Sequence, residues 1–394
     1  RCPTGRWLPP TSTGTKQGTR SSRWKPTVSC CGKDYSRESR AAVDVERRVP
    51  VRRRLTAVCF ALYATAAWAL PLELLSRWWL RRYGDALDRA AEVLRMEPEL
   101  GWEQRPFFTG VFEGVPVRTN EFGLRDGPVG GFTQAPKRVL ILGPSSTFGW
   151  GTPEEQTYAR RLERLLASGP SSARVLNAGE IGYSTWQGLR LYCQRLRPLH
   201  PDIIVAAYGA NDVDRWRFFF AEGGTDTEVL SRKRSAGRIA FHNALRRLAC
   251  LRLASRAVLG IAHHLRSPAT RTQGLRVPAD EFRANLLELA RLAREDGGRM
   301  ILMTTAHRFI APDGGAARQS LAEARRAEAV RVPRDLSLFN RIVREIAVKE
   351  RVPLVDAEVL LGGKDAAGLF LDPIHPSPAG HAVIAEALAR VMKR

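Results

Sequence analysis

Residues 138–151 read "RVLILGPSSTFGWG", four consecutive apolar residues followed by Gly143, Pro144, Ser145 and Ser146. A short apolar run closed by Gly and Pro is the pattern of a strand buried on both faces of a parallel sheet. A glycine turn that delivers a serine puts its hydroxyl at the carboxyl edge of that sheet, where open α/β sheets hold their ligands. The same alternation continues downstream. Strands are expected at 138–142, 174–177, 203–208, 300–304 and 354–355, and helices near 154–167, 185–197, 279–296, 335–349 and 377–392. Five parallel strands joined by crossover helices predict a doubly wound α/β fold. Two long excursions interrupt it, 213–278, which opens with "RWRFFF", and 306–334. Long excursions at a carboxyl edge commonly cover or shape a site.

Upstream, residues 1–54 are rich in Arg, Ser, Thr, Gly and Pro and lack apolar periodicity, which predicts a disordered basic segment. Residues 55–75, "LTAVCFALYATAAWALPLELL", follow the flank "RRVPVRRR". A basic flank and a mostly apolar run of that length fit a transmembrane anchor, with the amino terminus inside and the rest exported. Ala67-Trp68-Ala69 fits a signal-peptidase site, so a cleaved signal peptide and secretion compete with the anchor, and a buried core helix is the bland third reading. Residues 76–135 read as a connecting region with a helix at 85–95, and 136–394 as the main domain.

The formal charge of +22 over 394 residues is unevenly placed. Residues 1–54 carry 14 Lys/Arg against 4 Asp/Glu, 229–279 carry 11 against 0, and the remainder is nearly balanced at 37 against 36. With no zinc-finger or stacking motif among the arginines, the charge does not indicate a nucleic-acid partner. An acid-free segment repels itself, so 229–279 is either a solvated insert or a surface for anionic lipid or glycan. The 6 cysteines, two of them adjacent at Cys30 and Cys31, form no disulfide framework and no zinc spacing.

Four expected strand ends carry the residue types that acyl transfer requires. Ser145 follows the first strand, "NAGEIGYST" with Gly182 the second, "YGAND" with Asn211 the third, and "LDPIHPSPAGH" with Asp372 and His375 the fifth. A serine hydroxyl needs a base to take its proton, and an imidazole needs an acceptor to fix its tautomer. The developing oxyanion needs donors, which the Ser145 and Gly182 N–H groups and the Asn211 amide could supply. Each residue also has a plainer reading. Ser146 is a rival nucleophile, Gly182 could serve a turn, and Asn211 or Asp212 could cap a helix. Trp216 and Phe218–Phe220 read as packing before an acyl groove, His381 as structural, and His263, His264 and His307 have no metal-ligand spacing.

Taken together, "GPSSTFGWG", "NAGEIGYST", "GAND" and "DPIHP" resemble, in the same chain order, the four blocks of the SGNH (GDSL-type) serine hydrolases over roughly residues 115–394. The resemblance implies a flavodoxin-like three-layer sandwich with a five-stranded parallel sheet. It implies Ser145 as nucleophile, His375 as base, Asp372 as its partner, and Ser145, Gly182 and Asn211 as the oxyanion hole. It also implies hydrolysis of lipid, small acyl or acetylated-glycan esters without metal or cofactor. "TNEFGLRD", residues 119–126, resembles the lead-in of exported, membrane-tethered members. The family's Gly-Asp-Ser is here Gly-Pro-Ser, with Pro144 at the acid. O-acyl transfer to a polysaccharide and a catalytically inactive binding protein are the alternatives.

Overall fold

The computed structural model describes residues 38–84, 86–167, 172–213, 224–255, 257, 275–308, 321–362 and 368–393. Trp216, Phe218–Phe220, His263, His264 and residues 1–37 lie outside them. Helix α1 (Glu38–Tyr83) contains the expected apolar run and extends past 75. Leu74, Leu75, Trp78 and Trp79 keep that end apolar and exposed, and the turn closes where the Gly84 N–H donates to the Leu80 carbonyl at 2.9 Å. Its stretch Thr56–Tyr83, in which an 18-residue window reaches a mean hydropathy of 1.6, is long and apolar enough to cross a membrane.

The unit 75–394 holds the rest of the described secondary structure. The helix expected at 85–95 is α2 (Ala86–Val93). The remainder of the expected connecting region instead forms two antiparallel hairpins, β1 (Leu94–Glu97) with β2 (Gly101–Gln104) and β3 (Thr109–Phe112) with β4 (Val115–Arg118). Strands of four residues are too short for a period-2 pattern to stand out. Glu113 and Gly114 both have positive φ, 48° and 78°, the conformation of a tight hairpin turn. Leu94, Trp102, Phe112 and Val117 are buried in the same cluster as the sheet residues Leu140 and Leu142. The segment is therefore part of the folded body.

After a single turn, α3 (Gly130–Thr133), the expected sheet begins. It comprises β5 (Lys137–Gly143), β6 (Ala173–Gly179), β7 (Ile203–Ala206), β8 (Arg299–Met303) and β9 (Leu354–Val355), all parallel, in the order β6-β5-β7-β8-β9. The first strand, β5, lies inside the sheet, with β6 added on one side and β7, β8 and β9 on the other. The strand order reverses between β5 and β7, which is where doubly wound sheets hold ligands. Alternate side chains serve opposite faces. Leu140, Leu142, Ile204 and Leu302 pack with the hairpins, α6 (Thr185–Leu191), α9 (Ala279–Glu295) and α10 (Leu321–Lys349). Val139, Ile141, Val205 and Ile301 pack with α5 (Tyr158–Leu166), α11 (Ala357–Leu361) and α12 (Pro378–Lys393). Both faces are covered, which is why the strands read as continuous apolar runs. The result is the expected three-layer α/β sandwich.

Helix bounds differ where local chemistry intervenes. The helix expected at 154–167 is a 3-10 turn, Glu154–Gln156, followed by α5, because the Thr157 hydroxyl caps α5 by accepting from the Arg160 N–H at 3.4 Å. The helix expected at 335–349 starts at Leu321 and carries Pro333 within it. Excursion 213–278 includes α7 (Asp226–Leu230), α8 (Ala236–Leu245) and helical residues 249–255.

His381 of α12 is buried as a structural residue. Its Nδ1 accepts the Tyr158 N–H at 3.1 Å and its ring stacks on Tyr158 at 5.5 Å. Burial, then repulsion from Arg125, Arg161 and His375, pushes it down to about 3. The unfolded chain, titrating near 6.5, binds the extra proton first, so His381 costs stability progressively as pH falls from 6.5 towards 3. Asp212, pushed up to about 6 by burial, acts in the opposite direction below pH 6. Comparing wild type with His381→Gln cancels that second contribution. Urea unfolding at pH 6.5 and pH 5 should show the stability difference between the two narrowing by roughly 1–2 kcal/mol in favour of the variant on acidification. An unchanged difference would contradict the assignment.

Candidate active site

Strand β5 ends at Gly143 and Ser145 opens the one-turn helix α4 (Ser145–Phe148). The Pro144 carbonyl accepts from the Thr147 and Phe148 N–H groups at 2.9 and 3.0 Å, so the proline sits at a helix start, where its missing N–H costs nothing. The adjacent end of β6 lies close against this turn. A Cβ at Gly179 would stand 2.2 Å from the Phe148 nitrogen, so only glycine fits.

The Ser145 hydroxyl, 8% exposed at residue level, lies 2.7 Å from His375 Nε2. His375 Nδ1 lies 2.6 Å from Asp372 Oδ2, and the Asp372 Oδ1 accepts the N–H groups of Ile374 and His375 at 2.9 and 2.8 Å. Burial alone would raise the Asp372 carboxyl, but the His375 hydrogen bond and charge and the two backbone donors outweigh it and hold it below the usual carboxylate range. The 369–377 loop is closed by the Leu371 N–H on the His375 carbonyl and the Ser377 N–H on the Leu369 carbonyl, both 2.9 Å. Ser145 is thus joined to the sequence-distant Asp372–His375 pair in one hydrogen-bonded chain.

Gly182 and Asn211 belong to the neighbouring loops. Asn211 Nδ2 donates to the Tyr183 carbonyl at 3.0 Å, joining the loop after β7 to the loop after β6. Gly182 has φ 80°, the left-handed region glycine favours. Its two flanking peptides are held in place. The Trp102 indole donates to the Ile181 carbonyl at 2.9 Å, and because a trans peptide points its N–H opposite to its carbonyl, the Gly182 N–H faces away from Trp102. Arg276 Nη1 donates to the Gly182 carbonyl at 2.9 Å. Arg276 also pairs with Asp226 at 2.9 Å, both side chains being at most 1% exposed, and Asp226 accepts from the Ser184 hydroxyl at 2.6 Å. Asp212 accepts from the Thr185 N–H and hydroxyl at 2.8 and 2.5 Å. Its capping role is therefore across the fold, on α6. Both flanks of the long excursion are stapled to the Gly182 loop.

Sequence reasoning left several supporting residues unassigned. Trp150 stacks on His375, with ring centres 4.8 Å apart and planes at 11°, and Phe112 of the β3–β4 hairpin packs edge-on against Trp150 at 4.7 Å. "TNEFGLRD" acquires a physical role. Arg125 is buried and its Nη1 and Nη2 atoms donate to the carbonyls of Gly149 at 2.7 Å, Thr152 at 2.9 Å, Phe148 at 3.2 Å and Pro116 at 3.3 Å. It therefore ties the loop bearing Trp150 to the hairpin. Burial pushes the guanidinium down to about 10, still charged at neutral pH. Asp126 accepts the Asn177 N–H of β6 at 2.9 Å. The signal was present as Trp150 in the opening stretch and as an Arg-Asp pair beside a turn, but only folding brings them to the serine loop.

A polarised Ser-His-Asp chain at a sheet's carboxyl edge is chemistry for transferring acyl groups. The family described as GDSL-like lipase/acylhydrolase matches residues 141–383. An arylesterase from Vibrio mimicus is 31% identical over 80 residues, which span 20% of this chain and 40% of that relative. Among solved structures, an acetylxylan esterase from Geobacillus stearothermophilus is 19% identical with a TM-score of 0.41, over 67% of this chain and 97% of that one. A lipase/acylhydrolase from Enterococcus faecalis is 18% identical with a TM-score of 0.39, over 65% and 95%. The family match spans more than half of the sequence and takes in Ser145, Gly182, Asn211, Asp372 and His375. The chain belongs to the GDSL-like lipase/acylhydrolase family.

Proposed function

We propose that this chain is a serine esterase that works through an acyl-serine intermediate without a metal or cofactor. The observation that carries the reading is the hydrogen-bonded chain from Ser145 through His375 to Asp372. Ser145 Oγ attacks the ester carbonyl carbon while His375 Nε2 takes its proton. Asp372 keeps the other ring proton on Nδ1 and stabilises the imidazolium. The carbonyl oxygen, now an anion, is held by the N–H groups of Ser145 and Gly182 and by the Asn211 amide. Each such donor typically contributes about 3 kcal/mol to the transition state. His375 then returns the proton to the leaving alcohol oxygen, and water, activated by the same imidazole, cleaves the acyl-serine. Trp150 and Arg125 act by positioning, the first on the His375 ring and the second on the loop that carries Trp150. The substrate class is an ester of a lipid, a small acyl group or an acetylated glycan. Helix α1 serves as a membrane anchor, with the arginine flank at 52–54 on the inner side and the hydrolase domain outside.

Rapid mixing of the purified chain with 4-nitrophenyl acetate tests this reading. A burst approaching one nitrophenolate per chain, followed by slower steady release, is expected, because the activated nitrophenolate leaving group makes acylation faster than deacylation. A folded chain that shows neither burst nor turnover would point instead to the inactive binding protein.

A further inference from the structure

Helix α8 turns a polar residue inward and an apolar strip outward. Asn243 donates to the Met96 carbonyl and accepts the Met96 N–H, both at 2.9 Å, so one face is pinned to the backbone of β1, and Ile239 of the preceding turn is buried. At 3.6 residues per turn the opposite face consists of Gly237, Ala240, Phe241, Ala244 and Leu245, all exposed, Phe241 to 65%. Tight turns then extend the helix, the Arg247 and Leu248 N–H groups donating to the Ala244 and Leu245 carbonyls at 3.2 and 3.0 Å, and Leu248 is exposed as well. Single exposed leucines are ordinary, but a row of apolar residues on one outward helix face marks a contact surface. The charges stand around this strip. Arg232 and Lys233 precede it, Arg238 flanks it and Arg247 follows it, all exposed.

Two features of the partner follow. The segment 229–279 carries 11 Lys/Arg and no Asp/Glu, which selects an anionic surface, and Phe241, Leu245 and Leu248 select one with an apolar interior. An acidic glycan would answer the arginines and leave the apolar strip in water. A bilayer with anionic headgroups answers both. The chain also carries its own means of reaching one. The last turns of α1, from Leu75 onward, belong to the same compact unit as α8 and hold exposed Trp78, Trp79 and Tyr83 among Arg77, Arg81 and Arg82, the residue types that settle at headgroup level. Only residues 84–93 separate α1 from β1, the strand on which Asn243 docks.

We propose that the outer face of α8, with Phe241, Leu245 and Leu248 beside Arg238 and Arg247, is an interfacial surface that lies on anionic phospholipid. The apolar side chains enter the headgroup boundary while the arginines meet lipid phosphates. The proposal rests on the reading of α1 as a membrane anchor and is independent of the esterase chemistry. Together the two contacts hold the hydrolase unit against the bilayer at two places.

The test uses the full chain in lipid nanodiscs. The photoreactive residue p-benzoylphenylalanine is placed in turn at Phe241, at Leu70 of α1, and at Val359, which is exposed on α11 in the opposite layer of the sandwich. After irradiation, mass spectrometry measures phospholipid adducts on each peptide. In equal parts phosphatidylglycerol and phosphatidylcholine, the yield at position 241 is expected to exceed that at 359 at least fivefold. Pure phosphatidylcholine, or Arg238→Gln/Arg247→Gln in the mixed lipid, should lower the yield at 241 at least threefold and leave the yield at 70 unchanged. Adducts at 70 with no excess at 241 over 359 would overturn the proposal and spare the anchor. Adducts at neither 70 nor 241 would overturn both. Equal yields at 241 in the two lipids, or capture of a second chain in place of lipid, would also overturn the proposal.

Discussion

Ser145→Ala is expected to lower ester turnover by about six orders of magnitude, to the residual rate that positioning and oxyanion donors sustain without a nucleophile. The size of the effect follows from the arrangement. Ser145 opens α4 with its hydroxyl 2.7 Å from His375 Nε2, and a methyl group there leaves the imidazole with no proton to take. The variant should fold normally, because the backbone of the turn is set by the Pro144 carbonyl accepting from Thr147 and Phe148 and by the close approach of Gly179, none of which uses the hydroxyl. Ser146→Ala is the matched control. Its side chain is partly exposed and outside the hydrogen-bonded chain, so turnover should stay within a few-fold of wild type. Parallel steady-state measurement of the two variants, with circular dichroism to verify folding, checks the expectation. Comparable losses in both would detach the chemistry from Ser145.

Asp372→Asn is expected to cost about four orders of magnitude in turnover while leaving the loop intact. The reason lies in how the carboxylate is used. Oδ1 accepts two backbone N–H groups, from Ile374 and His375, and Oδ2 faces His375 Nδ1 at 2.6 Å. In asparagine the carbonyl oxygen must take the first position, since two donors demand an acceptor there. The amide NH2 then faces Nδ1 and forces it to accept, so the ring proton moves to Nε2. Nε2 consequently donates to the serine hydroxyl where it should accept. Asp372→Ala should also lose turnover, but with a loosened 369–377 loop and a lower thermal midpoint. A similar midpoint in wild type and Asp372→Asn, with the large rate loss in the asparagine variant, is the signature of a tautomer effect.

The sheet was legible because both of its faces are covered, so β5, β7 and β8 read as apolar runs closed by turns, and β6 as a shorter one between Arg174 and Asn177. The serine and the Asn-Asp pair were legible for a related reason, since each stands within a few residues of a strand end, whereas the Asp-x-x-His spacing was legible as a motif although α11 and a loop separate it from β9. The β1–β2 and β3–β4 hairpins were not. Their strands are four residues long and their buried residues, Trp102 and Phe112, contact partners tens of positions away. No local period encodes such contacts. The same limit hid Trp150, whose partner His375 is distant in sequence, and Arg276, whose acceptors lie in the 182–187 segment and at Asp226, tens of positions away. Asp212 shows the intermediate case. Its helix-capping chemistry was readable, but its target is Thr185 at the start of α6 and not its own segment.

The most direct measurement is mass-spectrometric mapping of the full chain after reaction with a fluorophosphonate probe, which captures a serine only when a neighbouring base has activated it. The expected result is one stoichiometric adduct on the peptide containing residues 145 and 146, fragmenting to Ser145, and formed more slowly while excess 4-nitrophenyl acetate is present. An unmodified peptide from folded protein, or an adduct on Ser146 or on a serine elsewhere, would contradict it.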